Sequence, residues 1–300
     1  MSILPMTLKS HCQELELIFI IEYFQIVSKN FTGNTKEKIT SIQVISDEPC
    51  IPWEIIKPTR EIDGVSESAG YFCEEHKMTR WLTGVDIVNK PTIKSIKIVR
   101  PNDTNLKKSK DEEDFLKKFW DNEMKSPGNF SKDSTLEQVT ASLEKSDFDI
   151  LHFTTHGAHN QQLASLSEIV LEKGKVLTPT DITRPEVRLQ KSNPLVILNA
   201  CQTGNLGYVL TGIGGWSQSF LSKKASGFIG TLWSVSDESA LNFTESLYEN
   251  LKNKKSLDES VRKARLDVKN KAQSTGDPSW LAYSLYAQPN AKFELEGVSN

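Results

Sequence analysis

Apolar residues recur along this chain with two different periods. Leu8, Cys12, Leu15 and Phe19 step by four, three and four, which predicts a helix within the first 30 residues. Asn30 to Lys38 is polar and contains Gly33, so it reads as a connector. Short β-like pieces follow at 39–45 and Tyr71–Cys73, around Pro49-Cys50-Ile51-Pro52-Trp53-Glu54, whose two prolines exclude a central strand or a helix interior. Beyond Lys90 the pattern becomes regular. Ile93, Ile96, Ile98 and Val99 predict a strand ending at Pro101, and Phe115, Phe119 and Trp120 place a helix within the charged stretch 107–125. Ser134-Thr135-Leu136-Glu137 reads as a capping box ahead of the stripe Leu136, Val139 and Leu143. Strands are predicted at 148–154, 194–199 and 227–232, and helices at 214–223, 238–251 and 257–271. The last opens with a second capping box, Ser256 to Glu259, and carries Leu257, Val261, Ala264 and Val268 on one face. Strands alternating with helices predict an α/β domain over 91–288: a mostly parallel sheet flanked by helices. Residues 1–90 form a smaller N-terminal α+β supporting region, and 289–300 a tail.

Composition narrows the classes without selecting a chemistry. The chain has 300 residues, 37% hydrophobic and 25% charged, with a net charge of -3, which is ordinary for a globular protein and offers no general attraction to nucleic acid or an anionic membrane. The longest apolar run, Leu15 to Val27, is too short to span a bilayer and contains Glu16 and Glu22. The start lacks the basic segment, clean apolar stretch and cleavage site of a secretory signal. Four scattered cysteines (Cys12, Cys50, Cys73 and Cys201) do not make a disulfide framework, so a reducing, cytoplasmic setting is expected. No repeat at solenoid spacing is visible.

In parallel sheets, ligands gather beyond the carboxyl ends of the strands. Three predicted strands end in residues of chemical interest: Thr155-His156-Gly157, Ala200-Cys201-Gln202-Thr203-Gly204 and Trp233-Ser234-Val235-Ser236-Asp237. If those strands are neighbours, His156, Cys201 and Asp237 share one rim. A thiol beside an imidazole is a nucleophile with its proton carrier. Gly157 permits close approach of a substrate carbonyl, and the amides of Gly157 and Cys201 are candidate oxyanion donors. Asp237 stands just before the stripe Ala240, Leu241, Leu247 and Leu251, where it can equally cap a helix.

The runs His152-Phe153-Thr154-Thr155-His156-Gly157, Leu198-Asn199-Ala200-Cys201-Gln202-Thr203-Gly204 and Thr231-Leu232-Trp233-Ser234-Val235-Ser236-Asp237 resemble the CHAT domain, a caspase-like cysteine protease family related more distantly to separases and caspases. Ile51-Pro52-Trp53-Glu54 and Trp280-Leu281-Ala282-Tyr283 extend the resemblance over roughly 40–288. The resemblance implies a caspase-like fold, His156 as catalytic histidine and Cys201 as nucleophile, the two separated by 45 residues. Similarity to separase implies that Asp237, with Trp233 and Ser234 on the same segment, lines a substrate pocket selecting a basic P1 residue. Ala158 to Glu168 carries no pocket signature, and the helical repeats of many family members are absent.

Other constellations are weaker. His152, His156 and His159 have helical metal-ligand spacings but lie in strand and loop, so no metal and no cofactor is expected. Gly212-Ile213-Gly214-Gly215-Trp216-Ser217 misses the dinucleotide fingerprint at its third glycine and reads as a loop at the active-site rim. Lys107, Lys108 and Lys110, diluted by the acidic run Asp111 to Asp114 that follows, read as a solvated helix face. The expectation is a cysteine endopeptidase making limited cuts in a protein partner, as a switch in bacterial defence or programmed cell death. An activating partner from another chain is expected, with no direct nucleic-acid or membrane contact. The rival is an inactive caspase-like scaffold binding a partner through the same groove, against which the intact His156 and Cys201 argue.

Overall fold

The computed structural model describes residues 41–46, 51–57, 59–62, 65–90, 92–123, 129–158, 167–201, 212–272 and 275–296. The helix expected in the first 30 residues, the connector after it, and Gln202 to Gly204 lie outside them.

A ten-stranded sheet organises the chain. Its strands in chain order are β1 (Ser41–Ile45), β2 (Lys77–Trp81), β3 (Ile96–Val99), β4 (Phe130–Asp133), β5 (Ile150–Ala158), β6 (Glu168–Val170), β7 (Val176–Leu177), β8 (Leu195–Cys201), β9 (Gly227–Thr231) and β10 (Tyr283–Tyr286). Across the sheet the order is β1-β2-β10-β9-β8-β5-β3-β4, with β6 pairing the end of β5 and β7 pairing β6. Every main neighbour pair is parallel except β9 with β10. The sheet therefore runs without a break from residue 41 to residue 286, and strands on both sides of Lys90 belong to it. Residues 294–295 pair with 92–93 in a separate two-stranded ladder, so part of the expected tail is folded.

Helices cover both faces. They are α1 (Ser109–Glu123), α2 (Leu136–Lys145), α3 (Pro179–Thr183), α4 (Gly212–Ser222), α5 (Asp237–Lys252) and α6 (Leu257–Lys271). Strand alternation divides the core accordingly. Ile98, Ile150, Leu195, Ile197 and Ile229 pack with Leu116, Trp120, Phe243, Leu247 and Val261 of α1, α5 and α6. Val99, Leu151, Phe153, Val196 and Phe228 pack with Leu143, Ile182, Trp216 and Phe220 of α2, α3 and α4. Gly227 lets β8, β9 and β10 pack closely, because a Cβ there would lie 3.2 Å from the Tyr286 carbonyl oxygen and 3.1 Å from Leu195, and these neighbours would have to give by a few tenths of an ångström.

The local predictions differ from the structure in instructive places. Tyr71–Cys73 is no strand: Phe72–Glu75 forms one helical turn, closed by the His76 amide on the Phe72 carbonyl. The ladder forms instead on the next segment, β2, whose Lys77–Trp81 pairs with Ser41–Ile45 of β1. The cap of α2 is Thr135, one residue later than expected. Its hydroxyl accepts from the Gln138 amide, and Gln138 Oε1 in turn accepts from the Thr135 amide at 3.2 Å and the Ser134 amide at 2.9 Å. At α6, Ser256 caps without a side-chain bond to the helix; Asp258 takes the Glu259 amide at 2.8 Å and the Ser256 hydroxyl at 2.5 Å. The glycines at 212, 214 and 215 open helix α4 rather than form a rim loop.

The Pro-Trp-Glu element fastens one wing of the sheet. Glu54, fully buried, receives Arg80 Nε from β2 at 2.8 Å, a second guanidinium nitrogen, and the Ser284 hydroxyl from β10 at 2.6 Å. Burial pushes the Glu54 carboxyl up, but Arg80, Arg265 and Ser284 outweigh it and hold it below the ordinary 4.5. Its contribution to stability is therefore complete above about pH 5 and is lost as pH falls through the folded value. Glu54→Gln is expected to cost about 2 kcal/mol at pH 7, a loss that shrinks as acid protonates Glu54 in the parent. Urea unfolding at pH 7 and pH 3.5 checks it, and an equal deficit at both refutes the assignment.

Candidate active site

The central strands change character toward their carboxyl ends. On the face covered by α1 and α5, Ile150 and Ile197 give way to His152, Thr154 and Asn199, all buried and all polar. Such groups need partners, since an unbonded polar atom in a core costs about 1–3 kcal/mol. Glu112 of α1 supplies them. Its Oε1 accepts from His152 Nε2 at 2.8 Å, Asn199 Nδ2 at 2.8 Å and the Thr244 hydroxyl of α5 at 2.6 Å, while Oε2 accepts from the Thr154 hydroxyl at 2.6 Å. The Asn199 amide also reaches the Ala240 carbonyl at 3.1 Å, and its Oδ1 accepts from the Tyr283 hydroxyl at 3.1 Å. With Nε2–H committed to Glu112, His152 Nδ1 accepts from the Tyr248 hydroxyl at 3.2 Å. Burial first, and Glu112 second, raise the Tyr248 phenol well above its ordinary value, so it remains a donor. One carboxylate thus ties β5, β8, α1 and α5 together beneath the strand ends.

Glu112 lies in the stretch read as a solvated face, and that reading is corrected for this residue. It is 2% exposed because it precedes Leu116, Phe119 and Trp120 by four, seven and eight positions, on the inward stripe of α1. That phase was the available signal. His152 is likewise part of the core network and not of a histidine cluster at the surface. Among the described residues, no group of three or more His, Cys, Asp or Glu side chains is arranged to hold a metal.

Above this network stand the two residues of chemical interest. Strand β5 continues through Ala158, so His156 belongs to the strand and not to the loop after it. Cys201 is the last residue of β8, and the parallel register sets it directly opposite His156. Paired positions on adjacent strands are about 4.8 Å apart. Gly157 follows in register with Ile169 of β6. The half-buried His156 ring presents Nε2 to Asn105 Oδ1 in a hydrogen bond. Asn105 comes from the loop between β3 and α1, where no periodicity marks it. Cys73, by contrast, is buried and its thiol is pushed up to about 11, chiefly by burial, which keeps it an inert thiol.

The third segment leaves β9, the neighbour of β8, at the same end of the sheet. Trp233 is wedged against both cores, and its shielded indole Nε1 has no partner among the described residues. Ser234 is half-buried beside it. Ser236, not Asp237, caps α5: its hydroxyl accepts from the Ser239 amide at 3.2 Å. Asp237 is the first helical residue, and its Oδ2 accepts from the Lys107 amide at 3.0 Å. Asp277 fastens this turn from below, taking the Ser236 and Ser239 hydroxyls at 2.7 Å each and the Ser279 amide at 2.9 Å. Burial raises the Asp277 carboxyl, but these donors prevail and hold it below the usual range.

This architecture, a mostly parallel sheet with helices on both faces, is the caspase-like fold. It matches the mature and pro-domain complex of RgpB from Porphyromonas gingivalis, with a TM-score of 0.59 and 10% identity over 89% of this chain and 68% of that one. The Arg-specific cysteine proteinase gingipain R (RgpB) gives a TM-score of 0.57 and 10% identity over 89% and 67%. The separase–securin complex of Saccharomyces cerevisiae gives 0.51 and 15% over 94% of this chain but only 18% of the other. No curated protein matches by sequence. The CHAT domain profile matches residues 73–290, and the chain belongs to that family. No helix among the described residues is long and apolar enough to cross a membrane.

Proposed function

We propose that this protein is a cysteine endopeptidase that makes limited, site-specific cuts in a protein partner, with Cys201 as nucleophile and His156 as proton carrier. The observation that carries the reading is the register pairing of Cys201 with His156 at the carboxyl edge of the sheet. The thiol proton passes to His156, and the thiolate adds to the scissile carbonyl carbon. The carbonyl electrons move to oxygen, where the amides of Gly157 and Cys201 are the assigned donors. Collapse restores the carbonyl, and the departing amine takes the proton from His156. Water, deprotonated by His156, then hydrolyses the thioester and releases the thiolate.

Asp237, with Trp233 and Ser234, is assigned to the P1 pocket. Asp237 Oδ1 has no partner among the described residues, and an Arg or Lys side chain would pair with it. The arginine specificity named for gingipain R supports a basic P1. Family resemblance supports a role as a defence or cell-death switch, with an activating partner and a reducing compartment that keeps the thiol usable.

A peptide acyloxymethyl ketone with arginine at P1 is expected to label the wild-type chain covalently. Cys201→Ala should cut labelling at least about a hundredfold at unchanged melting temperature. Equal labelling of the two proteins overturns the assignment, and absence of labelling in both favours the non-catalytic scaffold. A matching probe with P1 norleucine tests the pocket, since equal rates would remove Asp237 from specificity.

A further inference from the structure

The loop between β3 and α1, residues 100–108, reaches both assigned parts of the site. Asn105 Oδ1 bonds His156 Nε2, and two residues later the Lys107 amide donates to Asp237. We propose that Asn105 is a positioning residue for His156 and completes a Cys–His–Asn arrangement; this rests on the assignment of Cys201 and His156 above. A proton on Nε2 is committed to Asn105, so exchange with the thiol falls to Nδ1. The bond fixes both the tautomer and the ring plane, which is the task of the third group in a nucleophile–base pair.

The loop holds its acceptor in place. Arg100 Nε ion-pairs Glu113 at 3.0 Å, and Asn102 Nδ2 donates to Glu172 at 2.8 Å while its Oδ1 accepts from Lys132 at 2.8 Å. Asp103 accepts the Lys173 amide at 2.8 Å, and the Ser109 hydroxyl donates to the Leu106 carbonyl at 3.0 Å. Leu106, next to Asn105, is buried in the α1/α5 core. Anchors on both sides of Asn105 leave its side chain presented to His156 without a large entropic search. An amide accepts this bond without bringing a charge, so what it supplies to the imidazole is orientation.

Alkylation of Cys201 by iodoacetamide, in which thiolate displaces iodide, reads the arrangement without a known substrate. The rate is followed from pH 5 to 9 by mass spectrometry of the Cys201 peptide in wild type, Asn105→Ala, Asn105→Asp and His156→Ala. Wild type should alkylate below pH 7, where an unassisted thiol of pKa about 8.5 is almost wholly protonated. Asn105→Ala should slow alkylation about tenfold at pH 6.5 and move the profile toward that of a free thiol. Asn105→Asp, which keeps an acceptor, should restore the rate to within about threefold and extend the plateau to higher pH, because a carboxylate favours the imidazolium. Asn105 is exposed, so the melting temperatures of all three should agree. If Asn105→Ala superimposes on wild type while His156→Ala shifts the profile, Asn105 has no positioning role and the dyad stands. If wild type and His156→Ala both follow a free thiol, the dyad itself is lost, and the proposal with it.

Discussion

His156→Ala is expected to lower kcat/KM for peptide cleavage by about 10²–10⁴-fold, the usual contribution of a general acid–base group. Two losses combine. Without the imidazole only about 3% of a thiol with pKa near 8.5 is ionised at pH 7, and the departing amine has no proton donor. Unfolding should barely change, by about 0.5 kcal/mol, because His156 is only half-buried and bonds to an exposed residue. His152, four residues earlier on the same strand, predicts the reverse pattern: it is fully buried and bonded to Glu112 and Tyr248. Steady-state rates and denaturant curves on both alanine variants separate them. A His156→Ala enzyme within tenfold of wild type would contradict the dyad.

Glu112→Ala is expected to destabilise the protein by about 3–5 kcal/mol. The carboxylate receives hydrogen bonds from His152, Thr154, Asn199 and Thr244, and truncation removes the acceptor from all four in a buried region, where Asn199 alone keeps the Ala240 carbonyl. By size scaling for 300 residues this is a fall in melting temperature of roughly 5–8 °C. Glu112→Gln keeps the shape but sets an amide NH₂ against donors, and should cost about 1–3 kcal/mol. Calorimetry on the two variants checks the order. A loss under 1 kcal/mol for alanine would show that the four donors find other partners.

The sequence displays the elements whose pattern is set by burial on one side. Helix α6 begins and ends where the stripe Leu257, Val261, Ala264 and Val268 places it, and β5, β8 and β9 appear as apolar runs. Strand β2 is hidden because its Lys77-Met78-Thr79-Arg80-Trp81 reads as polar; Arg80 is nonetheless buried, its charge met by Glu54 from 26 residues away. The short β6, β7 and edge strand β4 leave too few residues for an alternation to register. At the candidate site, His156 and Cys201 stand out because glycines and apolar strands frame them. Glu112 is masked by the charges around it, and Asn105 lies in a loop whose position depends on contacts as distant in sequence as Lys173 and Asp237.

The place of β10 bears on how the chain is made. Among the described strands it is the sole link between β2 and β9, and it lies about 200 residues after β2 in sequence. At ribosomal speeds of about 5–20 residues per second, β1 and β2 wait roughly 10–40 s for the strand that joins them to the rest. From the synthesis of Thr231 to that of Tyr283, roughly 3–10 s at the same speeds, the β9 edge, Gly227 to Thr231, is open to any other extended chain. A translation arrest shortly before Tyr283 would leave a nascent polypeptide with Cys201 already synthesised and an unprotected edge one strand away. Timely completion of the carboxyl-terminal segment is thus a safeguard against self-association during biosynthesis.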